Sequence, residues 1–444
     1  MIFSDHFPFD PKKWPFFYGY FIVFCSIIGV TLSAPGQTIG VLVFTDYLIE
    51  HLQVSRFQIS VTYTIGTIGS AILIGRTGKL LDRIGTRQIS FIAAVCLGGV
   101  LIYMSQIDRA AALIFKLLGS RFHLAVVTSA LVSGFLLMRY LGVWGLGLAS
   151  RVMLLKWFSN LRGMMNSVLG VFITLSFASV PLLLEMLVRK FGWRVAWIIL
   201  SLLIGLVSST FIAIFFRDTP EGCGFNPDGK KHKDNGTQEA NGIEDWTLGQ
   251  ARRTFTFWIF NLSFAMFGLL STALTFHMVS VFEVAGLSRS EAITVFLPIS
   301  FTAVAVNIVS GWLSDLGPFK YRLKYLLGLL LVGLLLVGGG VILLDTARGK
   351  YMIIIGYGIS RGLFTTLVSV SWPRFFGRKN LGAINSFNMS FVVFFGAIGP
   401  FIFGWSFNKT GDYHLSVFVC CILQIILLIC CAKADRPFLR GKNR

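Results

Sequence analysis

The sequence predicts an all-α polytopic membrane protein, with twelve transmembrane helices in two pseudo-symmetric six-helix bundles. Three observations predict it. Of 444 residues, 55% are hydrophobic and 13% charged, about half the roughly 25% charged share of a soluble globular domain. The apolar residues gather in runs of about 20 or more, long enough to span a bilayer core. The longest polar stretch, 217–253, divides those runs six and six.

In chain order the predicted spans are 16–46, 56–78, 87–106, 123–152, 163–188, 194–216, 254–282, 289–314, 323–345, 351–374, 380–407 and 414–433. The net charge of +19 would suit a nucleic-acid binder if it were clustered on one face. Instead most Lys and Arg fall in alternate gaps: Lys12, Lys13, Arg76, Lys79, Arg83, Arg87, Lys156, Arg162, Lys230, Lys231, Lys233, Lys320, Arg322, Lys324, Arg374, Arg378 and Lys379. By the positive-inside rule this pattern puts both termini in the cytoplasm and predicts no nucleic-acid partner. Segment 107–122 is the exception: Arg109, Lys116 and Arg121 would lie outside, and the apolar residues among them suggest a surface-lying piece. The first residues carry Asp5, Asp10, Lys12 and Lys13 and read as no cleavable signal peptide. The seven cysteines lack a C-x-x-C pair, so free thiols are expected, with neither a disulfide framework nor a metal site. No cofactor is expected.

The expected domains are 1–216, an N-terminal bundle; 217–253, a cytoplasmic linker rich in Gly, Asn, Lys and Glu; and 254–444, a C-terminal bundle. "DGKKHKDNGTQEANG" reads as mobile chain, its sequon at Asn235 unglycosylated in the cytoplasm, and "EDWTLGQARR" as a short surface helix. A repeat links the halves. "GKLLDRIG" (78–85) follows the second span and "GWLSDLG" (311–317) the eighth. Aligning Gly78 with Gly311 also aligns Leu80 with Leu313 and Asp82 with Asp315. "KWFSNLRG" and "PRFFGRKNLG" end the fourth and tenth spans alike. Duplicated six-helix bundles commonly enclose a midplane site and rock around it.

These residues resemble the major facilitator superfamily. "GKLLDRIGTR" is similar to its signature loop between helices 2 and 3, matching at Gly78, Leu80, Asp82, Arg83 and Gly85, with Thr86 where a basic residue is usual. The resemblance implies the major facilitator fold, alternating access gated by these loops (Gly78, Asp82, Arg83, Gly85, Gly311 and Asp315), and a contact between Asp82 and a helix N-terminus. "YGY", "GQTIGV", "RDTPEGCGFNPDG", "DWTLGQARRTFTFW" and "WPRFFGRKNLGAI" resemble the monocarboxylate and oxalate/formate carrier branch. Two departures withhold that branch's substrates: "SAPGQTIGV" replaces the aspartate-glycine signature of helix 1, and "AITVFLPISFTAVAVNIVSGW" has no arginine in helix 8. Helix 5, with only Pro181, lacks the glycine-proline antiporter motif.

Chemistry enters with two arginines. Arg139 is the sole charged residue from Leu124 to Ser150, and Arg361 is the sole one between Lys350 and Arg374. A central arginine costs roughly 2.5–3.5 kcal/mol on insertion scales. Each could tie helices together through carbonyls. Two near mid-membrane, one per half and without carboxylates at their depth, point to an anion, because the guanidinium fork binds carboxylate or phosphate bidentately. In the superfamily helices 1, 4, 7 and 10 line the central cavity, which implies that both arginines can face it with Gln37, Thr38, Thr275 and His277. His277 could carry a coupling proton, or be an ordinary hydrogen-bonded histidine. Tyr63, Tyr357 and Trp372 could shape the cavity, or serve as packing.

The expected function is therefore secondary active transport of a small organic anion, most readily a carboxylate, by alternating access, with a coupling proton as an option. The expected partners are that solute and the lipid bilayer, and the protein reads as a monomer of a bacterial inner (plasma) membrane. Alternatives remain: an exporter of amphipathic drugs or metabolites, an importer of a larger carboxylate such as a siderophore, or a transporter-derived receptor. No nucleophile–base pair or phosphate-binding glycine loop suggests an enzyme.

Overall fold

The computed structural model describes residues 7–54, 56–110, 112, 123–229, 245–316, 323–435 and 437, and helices dominate throughout them. Most of 107–122 (with Lys116 and Arg121), linker residues 230–244 (with Asn235) and Gly317 lie outside the described residues. The helices are α1 (Tyr18–Leu32), α2 (Thr38–Leu42), α3 (Thr45–Leu52), α4 (Arg56–Ile84) and α5 (Thr86–Ser105). Next comes α6, formed by His123–Arg139, a π-helical stretch Tyr140–Leu148, and Ala149–Trp157. Then follow α7 (Arg162–Phe191), α8 (Trp193–Phe215), α9 (Phe255–Val284), α10 (Arg289–Thr294), α11 (Phe296–Asp315), α12 (Lys324–Ile342), α13 (Ala347–Phe376), α14 (Leu381–Thr410) and α15 (His414–Cys431). Among the described residues ten helices are long and apolar enough to cross a membrane: α4, α5, α6, α8, α9 and α11 to α15. The other two expected spans are the interrupted series α1–α3 and the 30-residue α7.

Several boundaries differ from the sequence expectation, two of them with a clear local cause. The signature stretch from Gly78, expected as a loop, forms the last turns of α4, and Gly311–Asp315 likewise ends α11. Leu81 is fully buried there, and a basic residue in a last turn suits the negative end of a helix. The corner falls at Gly85, whose φ of +97° is open to glycine and strained for other residues. The first span breaks after Leu32. Pro35 has no N–H and its ring opposes a continuing α-helix, so the chain tightens into a 3-10 turn, Ala34–Gly36, and restarts at Thr38.

By Cα proximity the chain forms two units: Met1–Ser159 with Phe172–Lys233 and Asn385–Ser390, and Asn160–Val171 with Asp234–Ile384 and Phe391–Arg444. In the first unit, the break after α1 lies against α6 with almost no separation. A Cβ on Gly36 would stand 2.3 Å from the Met138 carbonyl oxygen, and one on Gly142 would stand 2.8 Å from the Gly36 Cα. At the end of α8, Asp218 accepts hydrogen bonds from the Thr86 hydroxyl and the Arg87 N–H, both at 2.7 Å, capping α5. Two buried arginines stitch the leading segment to this corner. Arg87 donates to the carbonyls of Phe7 (2.8 Å) and Ala213; Arg217 donates to those of Phe9 (3.2 Å), Ile214 and Phe216 (2.8 Å each). Asp228 accepts from the Ser159 N–H at 3.0 Å, between α6 and α7.

In the second unit, Asp315 accepts from the N–H groups of Gly163 (3.1 Å) and Met164 (3.0 Å) at the start of α7, and pairs with Arg374 at 2.5 Å. Arg374 also donates to the Ser314 carbonyl. Asp315 of the repeat thus caps a helix start, and Asp82 has interactions of its own. The linker re-enters at Asp245, which accepts from the N–H groups of Arg378 (2.8 Å) and Lys379 (3.0 Å) between α13 and α14. A capping box at Thr247 and Gln250 then starts a single helical turn, Leu248–Ala251, where a short surface helix was expected.

Two substitutions test this framework. Replacing Gly142 by valine pushes a branched side chain into the Gly36 backbone, an overpacking that costs roughly 1–3 kcal/mol; the unfolding transition in detergent should fall by several degrees, measured by tryptophan fluorescence. Asp315→Ala strands the buried Arg374 guanidinium, a loss of roughly 3–5 kcal/mol. Adding Arg374→Met to that variant should restore part of the lost thermal stability.

Candidate functional site

In the first unit the structure joins three residues singled out in the sequence. Arg139 ends the α-helical first part of α6 and is 8% exposed. Its Nη1 donates to the Thr38 hydroxyl at 3.2 Å, and its Cζ lies 5.6 Å from the centroid of the Tyr63 ring. The Tyr63 hydroxyl donates to the same Thr38 oxygen at 2.8 Å. Thr38 reaches this position because the chain restarts helically there, directly after the Gly36–Gly142 contact. Gln37 stands at the restart and donates to Ser33 at 3.4 Å, the long end of the hydrogen-bond range.

The electrostatics of this cluster are unbalanced. Among the described residues no carboxylate pairs with Arg139, and its buried Nε has no hydrogen-bond partner. A hydroxyl and a ring face are neutral partners, so the guanidinium charge is only partly compensated. With both lone pairs of Thr38 taken by donors, its own proton remains free to be donated. The cluster therefore presents donors and positive charge, and lacks an acceptor.

In the second unit Tyr357 and Arg361 sit one turn apart on α13, on one face. Tyr357 is buried, and its hydroxyl makes contacts to the Ser271 hydroxyl (2.7 Å), the Ser271 carbonyl (3.2 Å) and the Thr275 hydroxyl (3.3 Å) of α9. The Arg361 side chain is half-buried and makes no hydrogen bond or ion pair among the described residues; its carbonyl accepts from Thr365 at 3.0 Å. His277, also on α9, lies in a separate network. Its Nε2 faces the Pro400 carbonyl at 2.9 Å, which fixes that nitrogen as a donor, and its Nδ1 faces the Tyr413 hydroxyl at 3.4 Å. Tyr413 donates in turn to Ser280 at 2.8 Å.

Trp372 does not join either cluster. It is fully buried in an aromatic core with Phe257 at 5.3 Å, Phe264 at 5.8 Å and Phe376 at 6.2 Å, the packing role that the sequence left open. Ser271, Tyr413 and Pro400 are contributors that sequence reasoning missed. The π stretch after Arg139 was missed as well, although its glycines in "YLGVWGLGL" were a readable sign of an irregular helix.

Known proteins share this architecture. A bacterial homologue of the iron transporter ferroportin, solved in an outward-facing state, superposes with a TM-score of 0.64 over 93% of this chain and 99% of that one, at 17% identity. The E. coli fucose:proton symporter FucP superposes at 0.61 over 94% and 99%, with 14% identity. In sequence, 175 residues are 28% identical to the multidrug transporter protein MdtP of Bacillus subtilis (strain 168), covering 36% of this chain and 29% of that protein's length. The Major Facilitator Superfamily model matches residues 17–400, nearly the whole chain, and the chain accordingly belongs to that superfamily: it is a membrane transporter and not an enzyme.

Proposed function

We propose that this transporter moves a small organic anion, a carboxylate, by secondary active transport with alternating access. The observation that carries the proposal is the desolvated Arg139, held by a hydroxyl and a ring face while its Nε lacks a partner. A carboxylate supplies what the cluster lacks: an acceptor that engages the guanidinium edge with two parallel hydrogen bonds and accepts the free Thr38 proton. Arg361, without a side-chain partner among the described residues, is proposed as a cationic anion contact of the second unit. Gln37 and Tyr357 are proposed as polar neighbours that select the cargo.

The proposed topology places both termini in the cytoplasm of a bacterial inner (plasma) membrane, with the protein working as a monomer. Asp82, Arg83, Gly78 and Gly85, with Gly311 and Asp315 of the repeat, are proposed as gating elements. Proton coupling is assigned to His277, because its Nδ1 faces the Tyr413 hydroxyl, whose own proton goes to Ser280 and whose oxygen can accept from the charged ring. A second reading, export of amphipathic compounds, draws support from the MdtP match; binding that ignores both arginines and responds to amphipathic cations would favour it.

The test is thermal stabilisation of purified protein by pyruvate, succinate and citrate, beside cations and neutral solutes. A carboxylate at about 100 times its Kd adds roughly 2.7 kcal/mol. Arg139→Gln and Arg361→Gln should each weaken that effect, Arg139→Gln by roughly 10- to 100-fold in affinity, the worth of a charged hydrogen-bonded contact. Wild-type response in both variants overturns the site. For His277→Gln, uptake into proteoliposomes should become insensitive to pH between 5.5 and 8, about where histidine titrates; a retained pH profile removes the proton role.

A further inference from the structure

The second half of α6 contains a charge that the proposed site does not use. From Gly142 to Phe158 every residue is buried except Arg151. A lipid-facing stripe would show exposure recurring every three or four residues, yet Gly147, Leu148, Leu154 and Leu155 are all buried. The exposure at Arg151 is therefore a local opening that its own side chain fills. Among the described residues its guanidinium makes no hydrogen bond or ion pair, although it lies six residues inside the end of a membrane-length helix.

The π stretch relates Arg151 to Arg139. Twelve residues of unbroken α-helix, at about 100° each, would leave the two side chains roughly 120° apart. Tyr140–Leu148 is π-helical and winds more slowly, because each turn holds about one residue more. With nine residues at about 80° each and three at about 100°, the separation of the two arginines around α6 falls to roughly 60°. The irregular winding thus brings closer around one helix two guanidinium groups that have no carboxylate partner among the described residues, separated by roughly 15 Å along its axis.

We propose that Arg151 is a second anion station, taken up by the carboxylate after it leaves Arg139 on its way to the cytoplasmic face. This rests on the anion reading and the topology given above. Chemically it repeats the first station: a guanidinium with open donor positions and no carboxylate of its own. It differs in lacking the Thr38 and Tyr63 partners, so it holds the anion more weakly and allows it to leave.

The experiment measures succinate uptake, with pyruvate and citrate in parallel, in right-side-out and inside-out membrane vesicles carrying wild type, Arg151→Gln, Arg151→Lys or Arg139→Gln. Arg151→Gln should raise the half-saturating concentration tenfold or more from the cytoplasmic face and less than threefold from the outer face. Arg151→Lys, which keeps the charge, should recover most of the loss. Equal losses on both faces with no rescue by lysine would make Arg151 a packing residue and overturn the proposal, as would wild-type values on both faces. A cytoplasmic-face loss in Arg151→Gln beside an unaffected Arg139→Gln would keep the inner station and sink the Arg139 assignment. If wild type takes up none of the three acids, both readings fall.

Discussion

A nearly enclosed guanidinium in a membrane-length helix must find partners, and the architecture of the first unit follows from how Arg139 finds them. A neutral hydroxyl can reach it only if the neighbouring backbone comes very close. Pro35 interrupts the first helix, Gly36 and Gly142 remove the side chains that would hold the two backbones apart, and Thr38 begins the next helical piece. Each step is local chemistry, and each is needed for the next. The result is a satisfied Nη1, an unsatisfied Nε, and a charge that no carboxylate of the described residues neutralises.

The ends of the helices follow a different rule. There, carboxylates meet backbone N–H groups at chain reversals: Asp218 at the start of α5, Asp228 ahead of α7, Asp315 at the start of α7, and Asp245 ahead of α14. Buried arginines at these ends meet carbonyls, as Arg87 and Arg217 do with the leading segment. Such sites satisfy the free groups that helix termini leave and hold their charges through dipoles. Charge at the ends is thus absorbed structurally, and Arg139, Arg151 and Arg361 stand out because among the described residues no carboxylate or carbonyl accepts from their guanidinium groups.

Helix number and most helix limits were legible in the sequence, because run length and flanking charge are local properties that the bilayer dimension constrains directly. Pro35-Gly36 flagged the bend in the first span. The continuation of α4 through Gly78 to Ile84 was hidden by reading a glycine-bounded, charged stretch as a loop, whereas Leu81 and Ile84 lie at helical spacing with Leu81 buried. Of the candidate site, Arg139, Thr38 and Tyr63 came together, and Tyr357 shares a helical face with Arg361. The partners of His277 were not readable: Pro400 and Tyr413 are more than 120 residues away, and only folding brings them near. Trp372 was ambiguous because an aromatic side chain reads alike in a cavity wall and in a core.

The two central arginines differ in a way that assigns them different work. Arg139 is nearly enclosed and already oriented by Thr38 and Tyr63. Arg361 is half-buried, with its head group free of partners among the described residues. A pre-oriented group loses little entropy when a ligand arrives, whereas a free arginine must give up rotamer freedom as it binds. In the proposed carrier Arg139 therefore suits capture of an anion, and Arg361 suits an anion contact whose strength depends on the conformation of its own unit. Only a ligand with differential affinity for two states can shift their balance. A rigid contact common to both states cannot supply that difference, and a free guanidinium that engages in only one of them can.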